Sequence, residues 1–300
     1  MQIRQPSSWP IGSLFLALLV TPVLAADTMN VERDIAYLGP GRQEKGDLYR
    51  PAKTAMGERF PAVLIIHGGG WSGGDKGAAR EINIGTTLAL NGYVGFSINY
   101  VLATENHPTW PQNLYDCKTA VRWLRKNAQR LNLDPAHIGV IGGSAGGHLA
   151  AMVAMTRPEA GLDPRGPYPE YSCRVQAAVD LYGPVDLITW PKTARLSMMP
   201  ASRDEKPELY RIASLTTYAH KSNPPLLILH GTADKAVPVE QSTMLAEALT
   251  KAGAEHELIV VEGAPHSFHL QPKERDLRPA VLGFFNRYLK PSTAREAKGS

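Results

Sequence analysis

The chain has 300 residues, 43% of them apolar and 20% charged, with a formal net charge of +4 at pH 7. A chain of that size and balance can bury one large core, so a single globular domain is expected. The slight basicity is scattered, and without a Lys/Arg block it argues against a nucleic-acid partner.

The amino-terminal stretch stands apart. Arg4, the apolar run Ile11–Val20 and the small residues near Val23-Leu24-Ala25 have the order of a secretory signal peptide. The apolar run is too short and too poorly flanked for a membrane span, and no Cys directly follows it to accept a lipid. Residues 1–26 are therefore expected to be removed, leaving 27–300 as one domain of a secreted or periplasmic protein with no stable membrane span. Arg4 is the only charged residue lost with the signal.

Val31–Leu38 and Lys45–Tyr49 read as two strands of an antiparallel edge around Gly39-Pro40-Gly41. Ala62–Ile66 is continuously apolar, as a strand covered on both faces would be. A helix over Ala79–Leu90, a strand over Tyr93–Asn99 and a helix over Gln112–Leu131 follow. The next strand, Ile138–Ile141, runs into a third helix at Leu149–Met155. After a Pro- and Gly-rich connection come a strand at Val175–Tyr182 and an irregular excursion from Val185 to Pro225, expected to form a small cap. Strand Leu226–His230, helix Val237–Ala252, strand Glu257–Val261 and helix Pro279–Leu289 complete the domain, and Pro291–Ser300 is expected to fray. This alternation predicts an α/β fold: a mostly parallel sheet of about eight strands, helices on both faces, and a short cap after the sixth strand.

Gly142–His148 supplies the chemistry. Ser144 falls on the turn between a strand and a helix, and Gly142 and Gly146 occupy the positions two before and two after it, where the backbones of a nucleophile elbow nearly touch. The amide of Ala145 then lies in the first helical turn, where unpaired N–H groups stabilise an oxyanion. A serine alcohol needs a base, and the base an orienting acid. Asp234 follows one predicted strand and His266 the next, so all three groups belong at the carboxyl ends of strands, where open α/β sheets place their sites. The order Ser144, Asp234, His266 is that of the α/β-hydrolase fold.

His67–Trp71 (His-Gly-Gly-Gly-Trp) resembles the oxyanion loop of esterases and lipases, and Gly142–Ala150 resembles the elbow of bacterial feruloyl and acetyl xylan esterase-like α/β-hydrolases. Tyr182–Leu187, His230–Pro238 and His266–Gln271 are similar to later segments of the same family, so the resemblance runs from about Ala62 to Leu289. It implies Ser144 as nucleophile, Asp234 as acid and His266 as base. It also implies an oxyanion hole from the amides of Gly69, Gly70 and Ala145, with Trp71 as a substitute donor. Hormone-sensitive-lipase-like enzymes share the His67 motif but usually carry Asp where this chain has Gly143, which favours the feruloyl-esterase-like group.

Rivals remain at two positions. Asp186 also follows a strand and competes with Asp234 for the acid, and His269 competes with His266 for the base; Asp234 and His266 are preferred from their places just beyond strand ends. His269 is expected to be buried or at a pocket edge. His67 and His148 are expected to bond backbone within their glycine motifs, with no metal site. Trp71, Trp110 and Trp190, with Tyr100 and Tyr182, are candidate pocket-lining aromatics. Cys117 and Cys173 are expected at opposite edges of the sheet, beyond disulfide reach.

The resemblance implies a serine esterase that works through an acyl-enzyme without a cofactor, on short acyl or cinnamoyl esters such as decorations of plant polysaccharide. An amide-bond hydrolase, of the prolyl-oligopeptidase or formamidase kind, is the rival activity. A catalytically silent hydrolase-fold binding protein is the rival class. The sequence leaves acyl-chain length and oligomeric state open.

Overall fold

A computed structural model describes residues 29–52, 59–190 and 195–290. The predicted signal peptide and the carboxyl-terminal tail lie outside the described residues. Eight strands form one sheet: β1 (Met29–Ala36), β2 (Lys45–Pro51), β3 (Phe60–Ile66), β4 (Val94–Ile98), β5 (Leu133–Gly143), β6 (Ala177–Leu181), β7 (Leu226–Gly231) and β8 (His256–Val261). Their order is β1-β2-β4-β3-β5-β6-β7-β8. The pairs β1–β2 and β2–β4 are antiparallel, and every later pair is parallel.

The parallel centre follows from its side chains. All seven residues of β3 are buried, as are all of β4, β6 and β7, because helices cover both faces. Along β3 the side chains alternate. Ala62, Leu64 and Ile66 pack into a core with Leu114 and Val121 of α2 (Gln112–Lys126), Leu149 of α4 (Ala145–Met155) and Leu245 of α6 (Glu240–Ala252). Val63 and Ile65 pack on the other face with Ile84 and Leu88 of α1 (Ala79–Leu90) and Val281 and Phe285 of α7 (Arg278–Leu289). Each fully buried Leu or Ile contributes about 1.5–3 kcal/mol relative to exposure, so a slip of one residue in β3 would exchange the two faces and lose both cores.

Two elements differ from expectation. The helix predicted over Gln112–Leu131 breaks at Asn127 into α2 and a short α3 (Ala128–Leu131), where the Asn127 amide donates to the Trp123 carbonyl at 2.8 Å. Such local side-chain bonds compete with the helical ladder. The excursion after β6 contains a helix that its prolines disguised, α5 (Pro207–Ile212), and a single 3₁₀ turn at Leu215–Tyr218. Pro207 sits at the first turn of α5, where its missing N–H costs nothing. Cys117 and Cys173 are both buried as free thiols.

Candidate active site

The end of β5 and the start of α4 form a tight elbow. Ser144 has φ 57° and ψ −124°, a conformation rare for a residue with a Cβ and costing about 1–3 kcal/mol. It is held by the bond from its amide to the Leu181 carbonyl (2.8 Å) and by glycines that leave no room to relax. A Cβ on Gly142 would stand 2.2 Å from the Gly146 oxygen, and one on Gly146 would stand 2.1 Å from the Ile66 oxygen.

Ser144 Oγ lies 2.9 Å from His266 Nε2. His266 Nδ1 lies 2.6 Å from Asp234 Oδ2. With Asp234 ionised, Nδ1 carries the proton and donates it, which leaves Nε2 to accept from the serine hydroxyl. The turn after β7 fixes Asp234 by accepting the amides of Ala236 and Val237 on Oδ1, each at 2.8 Å. Its side chain is fully buried. Burial alone would raise its pKa, but hydrogen bonds from His230, from His266 and from the Val237 amide outweigh that and hold the carboxyl well below the usual range.

The rivals are separated by the same geometry. Among the described residues the Asp186 carboxylate accepts only from its surroundings in the cap: the Ile188 amide at 3.0 Å, Thr189 Oγ1 at 2.8 Å and Ser214 Oγ at 3.4 Å. His269, expected to be buried or at a pocket edge, is exposed and does not line the cavity beside Ser144, and His266 is the histidine that reaches Ser144. His67 bonds the Gly68 carbonyl (2.7 Å) and His148 the Ala213 carbonyl (2.8 Å). Burial pushes both imidazoles down to about 4, so they are neutral. Among the described residues no group of three or more His, Cys, Asp or Glu side chains is placed to hold a metal ion.

In the oxyanion loop the carbonyls are occupied. Gly69 O accepts the amides of Ser72 (3.1 Å) and Gly73 (2.9 Å), Gly70 O accepts Ser197 Oγ (2.8 Å), and Trp71 O accepts the Ala103 amide (2.9 Å). The amides of Gly69, Gly70 and Ala145 donate to no backbone carbonyl among the described residues, so three N–H groups remain near Ser144 for a developing anion.

A cavity of about 360 Å³ opens beside Ser144 and His266, lined by His67, Gly68–Gly70, Asp75, Arg80, Glu81 and Ser267 among others. A larger one, about 710 Å³, lies between α1 and α7 and touches no member of the Ser144–His266–Asp234 chain. The chemistry is where the reactive groups meet, so the smaller cavity is the relevant one. None of the three tryptophans lines it. Trp71 is 2% exposed and packs edge-on to His148 at 5.3 Å, Trp110 lies 6.2 Å from the same ring, and Trp190 packs partly buried against the core. Trp71 and Trp110 are taken up by packing around His148 of α4.

One further residue belongs to the site. His230, fully buried at the end of β7, points Nε2 at the Val237 carbonyl (2.9 Å) and at Asp234 Oδ2 (3.3 Å), while Ser242 Oγ lies 2.6 Å from Nδ1. It braces the turn that carries the acid. Its sequence signal is its place four residues before Asp234 in the segment His230–Asp234.

The BD-FAE family model matches residues 47–249. The chain belongs to the BD-FAE family. It is 33% identical over 228 residues to esterase LipQ of Mycobacterium tuberculosis, a match covering 74% of this chain and 53% of LipQ; the chain thus spans about half the length of that relative. Among solved structures, a truncated carbohydrate esterase from gut microbiota superimposes with a TM-score of 0.79 at 27% identity, over 89% of this chain and 98% of that one. Esterase 2 of Thermogutta terrifontis, phosphorylated by paraoxon, does so with a TM-score of 0.72 at 27% identity, over 87% and 96%. The BD-FAE chain has the α/β-hydrolase fold of these esterases.

Proposed function

We propose that this BD-FAE chain is a serine carboxylic ester hydrolase working through an acyl-enzyme. The observation that carries the proposal is the unbroken hydrogen-bonded chain from Ser144 through His266 to Asp234, on a strained elbow beside three unpaired amides. His266 takes the Ser144 proton as Oγ attacks the ester carbonyl, and Asp234 stabilises the imidazolium. The amides of Gly69, Gly70 and Ala145 hold the oxyanion. His266 then protonates the departing alcohol, and a water molecule activated by the same histidine releases the acid. An intact chain of reactive groups speaks against the silent binding protein.

The substrates in this reading are short acyl or cinnamoyl esters, including acetyl and feruloyl decorations of plant polysaccharide. The likeness to a protein named as a carbohydrate esterase supports this. An exported location, secreted or periplasmic, rests on the first 26 residues. An alkoxide leaves more readily than an amine anion, so esters should be far better substrates than amides. Initial rates on an acetyl ester, a feruloyl ester and a matched prolyl anilide test the assignment. Ester rates well above the anilide rate are expected. An anilide rate comparable to the esters would move the chain to the amidase reading, and an acetyl-only profile would remove the feruloyl half.

A further inference from the structure

A line of buried polar groups runs from the first turn of α1 to the loop that carries His266. Arg80 Nε and Nη2 both donate to Glu81 Oε1, at 2.9 and 2.6 Å, which fixes the plane of the guanidinium. Its third nitrogen, Nη1, donates to the Tyr182 hydroxyl at 3.1 Å. That hydroxyl donates onward to the Phe268 carbonyl at 2.7 Å. Glu81 and Tyr182 are 1% and 0% exposed. Burial pushes the Tyr182 phenol up to about 12, against the opposing pull of Arg80, so it keeps the proton that it donates. A cationic donor on the phenol oxygen polarises its O–H and strengthens the bond to the carbonyl.

The end of this line matters because of what it holds. Phe268 is two residues beyond His266, and the residue between them, Ser267, sits at φ 66°, a left-handed conformation that persists only where neighbours enforce it. The Tyr182 ring stands edge-on to the His266 ring, 4.9 Å between centroids, and to the Phe268 ring at 4.5 Å. Tyr182 is itself at φ 45°, with its amide on the Leu229 carbonyl, while its neighbour Leu181 accepts the amide of Ser144. One tyrosine therefore ties the elbow, the histidine ring and the histidine loop together. Gly143 completes the fit: a Cβ there would lie 2.8 Å from Arg80 Cζ, so the guanidinium occupies the space that a side chain beside the nucleophile would need.

We infer that Tyr182 is a positioning residue that sets the orientation of His266 toward Ser144, and that Arg80, clamped by Glu81, positions Tyr182. Its kinetic consequence rests on the serine hydrolase reading, whereas the positioning does not. Two measurements keep them apart: solvent exchange of the His266 Nδ1 proton by NMR, and kcat and KM on an ester. Tyr182→Phe keeps the ring and removes the hydroxyl. It should speed the exchange by about tenfold or more and lower kcat about tenfold with KM within about twofold, below the roughly 100-fold that a 1 Å misplacement can cost. Arg80→Met should act in the same direction, and the double variant should be no worse than Tyr182→Phe alone, since both interrupt one line. Unchanged exchange in Tyr182→Phe would overturn the inference whatever the protein hydrolyses, as would multiplying losses in the double variant or a loss confined to KM. Faster exchange in a protein inert toward every ester would uphold the positioning and sink the esterase reading alone.

Discussion

Replacing Asp234 by Asn tests the acid at a site where the geometry dictates which way the amide must turn. Asp234 Oδ1 accepts two backbone N–H groups at 2.8 Å, so an amide nitrogen there would face two donors. The nitrogen must therefore take the place of Oδ2, 2.6 Å from His266 Nδ1. There it donates, forces Nδ1 to accept, and moves the imidazole proton to Nε2, the atom that must receive the proton of Ser144. The wrong tautomer of an otherwise intact triad costs about 10,000-fold in kcat, or about 5.5 kcal/mol of transition-state stabilisation. Initial-rate kinetics on p-nitrophenyl acetate, with thermal unfolding as a control for structure, should show that loss in Asp234→Asn. Asp186→Asn, whose carboxylate bonds only Ile188, Thr189 and Ser214 among the described residues, should remain within about threefold of the unaltered chain, as polar changes away from a reacting group usually do. A near-full rate in Asp234→Asn, or the large loss in Asp186→Asn instead, would refute the assignment.

Two predictions concern stability. A Cβ on Gly146 would meet backbone oxygens of Ile66 and His67 at 2.1 and 2.5 Å, which no side-chain rotation relieves, so Gly146→Ala should destabilise the chain by about 1–3 kcal/mol or more in urea unfolding; an unchanged midpoint would mean that the elbow is looser than described. Asp180 is buried with Oδ2 unpartnered, and burial pushes its pKa up to about 6 despite the Gly183 amide and His230. A raised folded pKa means that this group's share of stability is present below the unfolded value of about 3.9 and lost as pH rises through about 6, a change of about 3 kcal/mol. Urea unfolding of the unaltered chain and Asp180→Asn at about pH 4 and pH 7.5 should show the difference shifting by most of that amount, about 2.4 kcal/mol, in the variant's favour at the higher pH. A difference independent of pH would contradict it.

The sheet was legible because parallel strands buried on both faces become unbroken apolar runs, as Ala62–Ile66 and Leu226–Leu229 are. The reactive groups were legible because each sits just past such a run. What stayed hidden depends on contacts that no local pattern encodes. The Arg80–Tyr182–Phe268 line joins residues 102 and 86 positions apart, and His230 serves Asp234 only because the turn folds back on itself. Asn127 marks the break in a helix that apolar spacing alone would have continued, with its side-chain amide and its backbone N–H both on the Trp123 carbonyl. The tryptophans were ambiguous for a simpler reason: a large aromatic is as useful to packing as to a pocket, and Trp71 and Trp110 pack around His148.

In the proposed mechanism Ser144, activated by His266, is the nucleophile. Paraoxon offers the direct test, because it leaves a stable diethylphosphoryl group on the oxygen that attacks it and releases p-nitrophenolate. One equivalent of p-nitrophenolate per chain is predicted, with the adduct found by peptide mass spectrometry on Ser144, none in Ser144→Ala, and much slower labelling in His266→Ala. Labelling at another residue, or none in a folded chain, would contradict the account.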